Sequence, residues 1–167
     1  MPTKKVVDCV RLLVSRGLKI AFAESATAGR MASEFSLVPD SGQILLGGIV
    51  CYDVAVKCDL LNIPKIYIEK YTPESAEVTK GLAENLRTHF KADIIVAVTG
   101  LASPGGSETP EKPVGTMFIH MLLPDGYIAH REKFDGSPEQ VVVQTIDKMC
   151  ELLCEKINGS TILNQSA

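Results

Sequence analysis

Apolar residues fall along the chain in segments of two different periods, and the segments alternate. From Lys4 to Arg16, Val6, Val10 and Leu13 share one side of a helix that Gly17 should stop. Lys19 to Ala23 is short and apolar, a buried strand. A helix is expected over about Thr27 to Leu37, ended by Pro39, and a strand over Leu45 to Cys51, where Gly47 and Gly48 permit close backbone approach. A short helical or turn segment carries Ala55 to Leu61 as far as Pro64. Thr72-Pro73-Glu74 has the chemistry of a helix start, with Pro73 in the first turn, and Val78, Leu82, Leu86 and Phe90 follow at four-residue spacing. Ile94 to Val98 is apolar throughout, as a strand covered on both faces must be. Val114 to Leu122 and Tyr127 to Lys133 flank Pro124-Asp125-Gly126 and read as an antiparallel hairpin. Ser137-Pro138-Glu139-Gln140 supplies an N-cap, a first-turn proline and a capping-box glutamine for a last helix reaching about Ile157, with a loose tail expected from Gly159 to Ala167.

This alternation predicts a single three-layer α/β/α domain over residues 1–167, with a mixed, mostly parallel sheet and a late antiparallel hairpin. A chain of 167 residues suffices for one well-buried core. Its net charge of −3 gives no general attraction for nucleic acid. No apolar stretch reaches membrane-spanning length, and the N-terminal residues do not form a signal peptide, so no membrane partner is expected. Five cysteines without a CxxC pair fit a reducing cytoplasm. Cys150 and Cys154 share a helix face and read as core packing. His89, His120 and His130 form no motif, so neither a metal nor a cofactor is implied.

Two junctions carry candidate chemistry. Thr99-Gly100-Leu101-Ala102-Ser103-Pro104-Gly105-Gly106-Ser107 leaves the most apolar strand with small residues and hydroxyls, suited to presenting backbone N–H groups to a compact polar ligand. Glu24-Ser25-Ala26-Thr27-Ala28-Gly29 lies between a strand and a helix, where nearby N–H groups would stabilise an anion or oxyanion. Tyr52 ends another strand and Lys57 follows it. If those strands are neighbours, Lys57 is in reach of Ser25 as a base, with Tyr52 relaying a proton or orienting the substrate. The plainer alternatives are a helix-capping Ser25, a solvent-facing Lys57, a core-edge Tyr52, and Glu24 and Lys112 in helix-end or surface ion pairs.

The glycine-rich run, continued by Thr109-Pro110-Glu111-Lys112-Pro113-Val114-Gly115-Thr116, resembles the TGxAGPGG…TPEKPVGT pattern of the CinA C-terminal domain family. Glu24, Ser25, Thr27 and Gly29 match its ESCTGG motif, and Tyr52 and Lys57 match the tyrosine and lysine of YSNEAK. The resemblance extends from about residue 5 to residue 157. Characterised bacterial members include nicotinamide mononucleotide amidohydrolases. The resemblance therefore implies that Ser25 attacks the carboxamide of nicotinamide mononucleotide, with Lys57 as base and Tyr52 assisting, releasing ammonia and nicotinic acid mononucleotide. Thr27, Gly29, Thr99, Gly100, Ala102, Ser103, Gly105, Gly106 and Thr109 would hold the substrate. Family domains associate, so a homo-oligomer is also implied. The separate N-terminal domain of full-length CinA proteins has no counterpart in the sequence, and its functions are not expected of this chain.

The sequence departs from the family at Ala26, Ala28, Asp53 and Val54, and most sharply in the last-helix motif FxGDRxxVR. Phe134, Gly136 and Val141 remain, but Ser137 stands for the aspartate, and Pro138 and Val142 stand for the two arginines. Retention of Ser25, Tyr52 and Lys57 points to an amidohydrolase. Loss of the arginines points to a nucleotide-like ligand binder, or to an enzyme for another small amide. Arg30 and Arg131 are the candidates to replace the lost charge.

Overall fold

The computed structural model describes residues 1–160; of the loose tail expected over 159–167, Gly159 ends the last helix and Ser160 is buried with its hydroxyl on Asp125, while 161–167 lie outside the described residues. In chain order the elements are α1 (Lys4–Arg16), β1 (Ile20–Glu24), α2 (Arg30–Ser36), a 3-10 turn (Ser41–Gln43), β2 (Leu45–Val50), α3 (Val54–Asp59), α4 (Lys65–Tyr71), α5 (Ala76–Leu86), β3 (Ile94–Gly100), β4 (Thr116–Leu123), β5 (Gly126–Lys133) and α6 (Pro138–Gly159). One sheet runs in the order β2-β1-β3-β4-β5. Its β2-β1-β3 half is parallel, and β3-β4 and β4-β5 pair antiparallel. The domain is thus the expected α/β/α sandwich with a mixed sheet and a late hairpin.

Alternation along the central strands builds two cores. Ile20 and Phe22 of β1, with Val96 and Val98 of β3, face α1, α2 and α6. Ala21 and Ala23, with Ile95 and Ala97, face α5 and the Leu61–Ile68 segment. Because both faces are covered, β1 is buried at every position. The edge strand β5 alternates instead: Ile128 packs toward the first core while its neighbours are exposed. Gly48 is required where β2 meets β1, because a Cβ there would run into the Phe22 carbonyl. Cys9, Cys150 and Cys154 pack where α1 meets α6, as core residues.

Helix ends follow local chemistry where local chemistry is sufficient. Thr3 accepts from the Val6 amide, and Gly17, at φ 63°, closes α1 by donating to Leu13 and Val14 carbonyls. Ser137 and Gln140 form the expected capping box on α6, with proline in its first turn.

The expected helix start at Thr72-Pro73-Glu74 needs correction. Those residues join two helices. The helical segment expected to stop at Pro64 is followed directly by α4, which begins at Lys65. Thr72, at φ 67°, ends α4, and its amide donates to the Ile68 carbonyl. The true cap is Ser75, whose hydroxyl accepts from the Val78 amide and starts α5. The helix expected from Thr27 likewise begins later, at Arg30, because Ala28 and Gly29 both take positive φ. The strand expected to end at Val98 continues to Gly100, paired with Met117 on β4.

Candidate functional site

Parallel pairing carries the ends of β1, β2 and β3 to one rim of the sheet. Each ladder continues one step beyond the strands: the Ser25 amide donates to the Val98 carbonyl at 3.0 Å, and the Cys51 amide donates to the Glu24 carbonyl at 2.8 Å. From β1 the chain moves outward to β2, then crosses back to β3 on the other side. The crevice where strand order reverses thus lies between β1 and β3, the usual ligand position in open α/β sheets.

A cavity of about 200 Å³ occupies this crevice. Ser25, Ala26, Tyr52 and Glu74 line it together with the 100–106 loop. Ser25 is buried to 7% exposure, and its Oγ makes no hydrogen bond to protein among the described residues. The turn from Ser25 to Gly29 is tight: the Ala28 amide donates to the Ser25 carbonyl, and Ala28 has φ 48°. The amides of Ala26 and Thr27, directly after Ser25, also find no protein acceptor among the described residues. Ala26 lines the cavity, where its amide is available to a ligand oxygen or oxyanion.

Lys57 is fully buried beneath this rim, not solvent-facing. Its Nζ donates to the carbonyls of Cys51 at 2.6 Å and Tyr52 at 3.0 Å. Burial lowers its pKa below 10.5, against the opposing fields of Cys51, Glu74 and Asp53. Asp53 caps α3 through the Ala55 amide and so fixes the turn that returns Lys57 under Tyr52. Tyr52 is 67% exposed and forms the outer lip, not a core-edge packing residue.

The expected substrate-holding residues divide. Gly100, Ala102, Ser103, Gly105 and Gly106 line the cavity. Thr99 is buried behind them, its hydroxyl 2.8 Å from that of Thr79 on α5. Thr27 is buried, and its Oγ1 has no hydrogen-bond partner among the described residues. Gly29 gives its amide to Glu24, and Thr109 pairs with Lys112 away from the cavity wall.

Glu24 is a helix-end residue in the sense expected, with unusual reach. Its carboxylate accepts from the amides of Gly29, Met31 and Ala32 at 2.8–3.0 Å. Lys112 is no surface ion pair: its Nζ donates to Thr72 Oγ1, the Glu74 carbonyl and Ser107 Oγ at 2.6, 2.8 and 2.6 Å. Sequence reasoning missed Glu74 and Glu108. Glu74, part of the expected helix start, instead lines the cavity and accepts from Ser107. Glu108 accepts from the Gly105 amide at 2.8 Å, a bond that lowers its carboxyl pKa. The Gly-x-x-Glu spacing was the available signal for this local cap.

Neither candidate arginine reaches the cavity. Arg30 pairs with Glu34 at 2.6 Å and with Glu139 at 3.6 Å. Arg131 donates to the Glu111 carbonyl and lies over the Phe118 ring at 5.6 Å.

Comparison with known proteins gives a consistent pattern. The sequence profile of the CinA C-terminal domain matches residues 3–157. A CinA-like protein of Desulfotalea psychrophila is 40% identical over 129 residues, covering 77% of this chain and 31% of the relative. A CinA-like protein of Prochlorococcus marinus strain MIT 9215 is 33% identical over 82% of this chain and 32% of its own length. The chain thus spans about a third of these curated relatives. Among solved structures, the competence damage-inducible protein A from Klebsiella pneumoniae MGH 78578 superposes with a TM-score of 0.87 at 25% identity, covering 95% of this chain and 99% of that one. A CinA superfamily protein from Klebsiella pneumoniae 700603 gives 0.85 at 25% identity over 92% and 95%. No helix among the described residues is long and apolar enough to cross a membrane.

Proposed function

The chain belongs to the CinA C-terminal domain family, and from that premise we propose that it hydrolyses the carboxamide of a nicotinamide-type compound. Nicotinamide mononucleotide is the member of that class the family resemblance implies. Ser25 Oγ attacks the carboxamide carbon as its proton passes to the neutral Lys57 amine. The Ala26 and Thr27 amides receive the developing oxyanion. Lys57 returns the proton to the departing nitrogen, the C–N bond breaks, and ammonia leaves an ester on Ser25. Water then attacks that ester, giving up a proton through Lys57, and the acid is released as Ser25 regains its hydrogen. Tyr52 orients the ring at the mouth.

The observation that carries this reading is the single cavity lined by Ser25, Tyr52 and the 100–106 loop, with Lys57 buried below it. The Lys57 hydrogen bonds add support. A neutral amine has two N–H groups, and the carbonyls of Cys51 and Tyr52 engage both, leaving the lone pair to take a proton. Burial favours that neutral form.

The test is ammonia release from nicotinamide mononucleotide and from nicotinamide riboside, with Ser25→Ala alongside. Turnover of either compound by the parent, lost in folded Ser25→Ala, is the expected result. A folded parent that binds the compounds and releases no ammonia would leave a ligand-binding protein in place of an enzyme. The specific observation on that side is that Lys57 Nζ makes its hydrogen bonds to the Cys51 and Tyr52 carbonyls and none to Ser25.

A further inference from the structure

We propose that the cavity selects a small, phosphate-free carboxamide carrying positive charge, such as an N-substituted pyridinium carboxamide, over its phosphorylated counterpart. This rests on the amidohydrolase reading and narrows its substrate class.

A bound phosphate needs N–H donors or cations that the protein has not already neutralised. Several groups at this rim suited to that task are already engaged, and the Ala26 and Thr27 amides, which are not, are the donors the proposed reaction gives to the carboxamide oxygen. At the start of α2, the amides of Gly29, Met31 and Ala32 converge on the Glu24 carboxylate. In the glycine-rich loop, the Gly105 amide is held by Glu108, so this anion cradle is filled by an anion of the chain itself. The Lys112 ammonium spends its donors on Thr72, Glu74 and Ser107. Lys57 lies beneath the floor, bonded to two carbonyls. Arg30 and Arg131 are committed to Glu34, Glu139 and Glu111. At the last-helix positions where the family pattern has arginines, Pro138 and Val142 offer no charge.

The charge that does line the cavity is negative. Among the described residues, Glu74 is its only ionisable wall residue apart from Tyr52, and its carboxylate is held in place by the Ser107 hydroxyl. A phosphate dianion placed here meets a carboxylate with no lysine or arginine beside it on the cavity wall, whereas a pyridinium ring gains from the same carboxylate. Size agrees with charge. About 200 Å³ lies below the roughly 300–1,000 Å³ typical of sites for drug-sized ligands, which suits a ring and its carboxamide better than a whole nucleotide.

Nicotinamide riboside and nicotinamide mononucleotide share the pyridinium ring, ribose and carboxamide and differ by the phosphate, which makes them the appropriate pair of probes. Calorimetric titration of Ser25→Ala with each measures preference without turnover. The riboside is expected to bind at least about tenfold more tightly. Glu74→Gln, which keeps the acceptor for Ser107 and removes the charge, should reduce that preference severalfold. Equal or tighter binding of the mononucleotide, an unchanged preference in Glu74→Gln, or no binding of either probe at millimolar concentration would each overturn the proposal. Binding with the expected preference but no ammonia from the parent would leave the proposal standing and sink the hydrolytic reading alone.

Discussion

At the scale of single residues, Lys57 is the most informative group in the molecule. It is a long cationic side chain with 1% exposure, satisfied by two backbone carbonyls and no carboxylate. Burial opposes the ammonium, so the folded pKa lies below 10.5. Between the folded value and 10.5 the unfolded chain binds more protons at this site than the native one, so native stability rises with pH through that window. Lys57→Met, close in length and without charge, should abolish this local rise in urea-unfolding free energy measured across alkaline pH. In the hydrolytic reading the same ionisation governs turnover. The pH–rate profile of the parent should rise through a pKa below 10.5, and Lys57→Met should show no turnover. A parent profile without such a limb would remove Lys57 as the base.

At the scale of elements, α2 shows how a non-local contact can start a helix. Its seven residues follow two positive-φ positions, and no side chain caps it at Gly29. The first-turn amides are instead satisfied by Glu24 from the end of β1, which also sets the Ser25 turn. Glu24→Gln keeps one acceptor oxygen and replaces the other with a donor that opposes the amides. Loss of charge-assisted bonds of this kind costs about 2 kcal/mol, read as a lower urea midpoint at unchanged m-value. A Glu24→Gln midpoint equal to that of the parent would show that α2 stands without this cap. The same contrast explains what was legible in the sequence. Thr3, Gly17, Ser137 and Gln140 announce their helix ends because each acts within one turn of itself. The apolar runs of β1 and β3 announce a sheet covered on both faces. The α4–α5 junction was misplaced because Thr72-Pro73-Glu74 has acceptable local chemistry for a helix start, while the positive φ of Thr72 and the Ser75 cap prevail in the folded chain. Ser25, Tyr52 and the 100–106 loop could be picked out by residue type, but the cavity's negative wall could not, since Glu74 reaches it from a linker about 30 residues before Ser107.

At the scale of the whole molecule, the sheet's reversal of strand order creates the crevice, and a long-range polar tie decides how firmly its far wall stands. The 100–106 loop leaves β3 and returns to β4, and its interior is small residues that pack little surface of their own. Lys112 supplies the missing constraint by joining the loop's return limb to the α4–α5 linker through Thr72 Oγ1, the Glu74 carbonyl and Ser107 Oγ. Those bonds bridge 38–40 residues of sequence to Glu74 and Thr72, so they hold two separate wall segments in register. Lys112→Met retains most of the aliphatic stem and removes the three donors. Local opening of the loop and linker then becomes easier, while the strands below keep their ladders. Hydrogen exchange should therefore quicken for the backbone amides of residues 102, 103, 105–109, 74 and 75 in Lys112→Met, with β1 and β3 protected as in the parent. Ligand affinity at the cavity should fall in step, because the loop would be ordered at the expense of binding. Equal acceleration across β1 and β3 would mean that Lys112 supports the global fold, and unchanged exchange in the loop would mean that Gly105–Glu108 and the Leu101–Thr116 pairing hold it without the lysine.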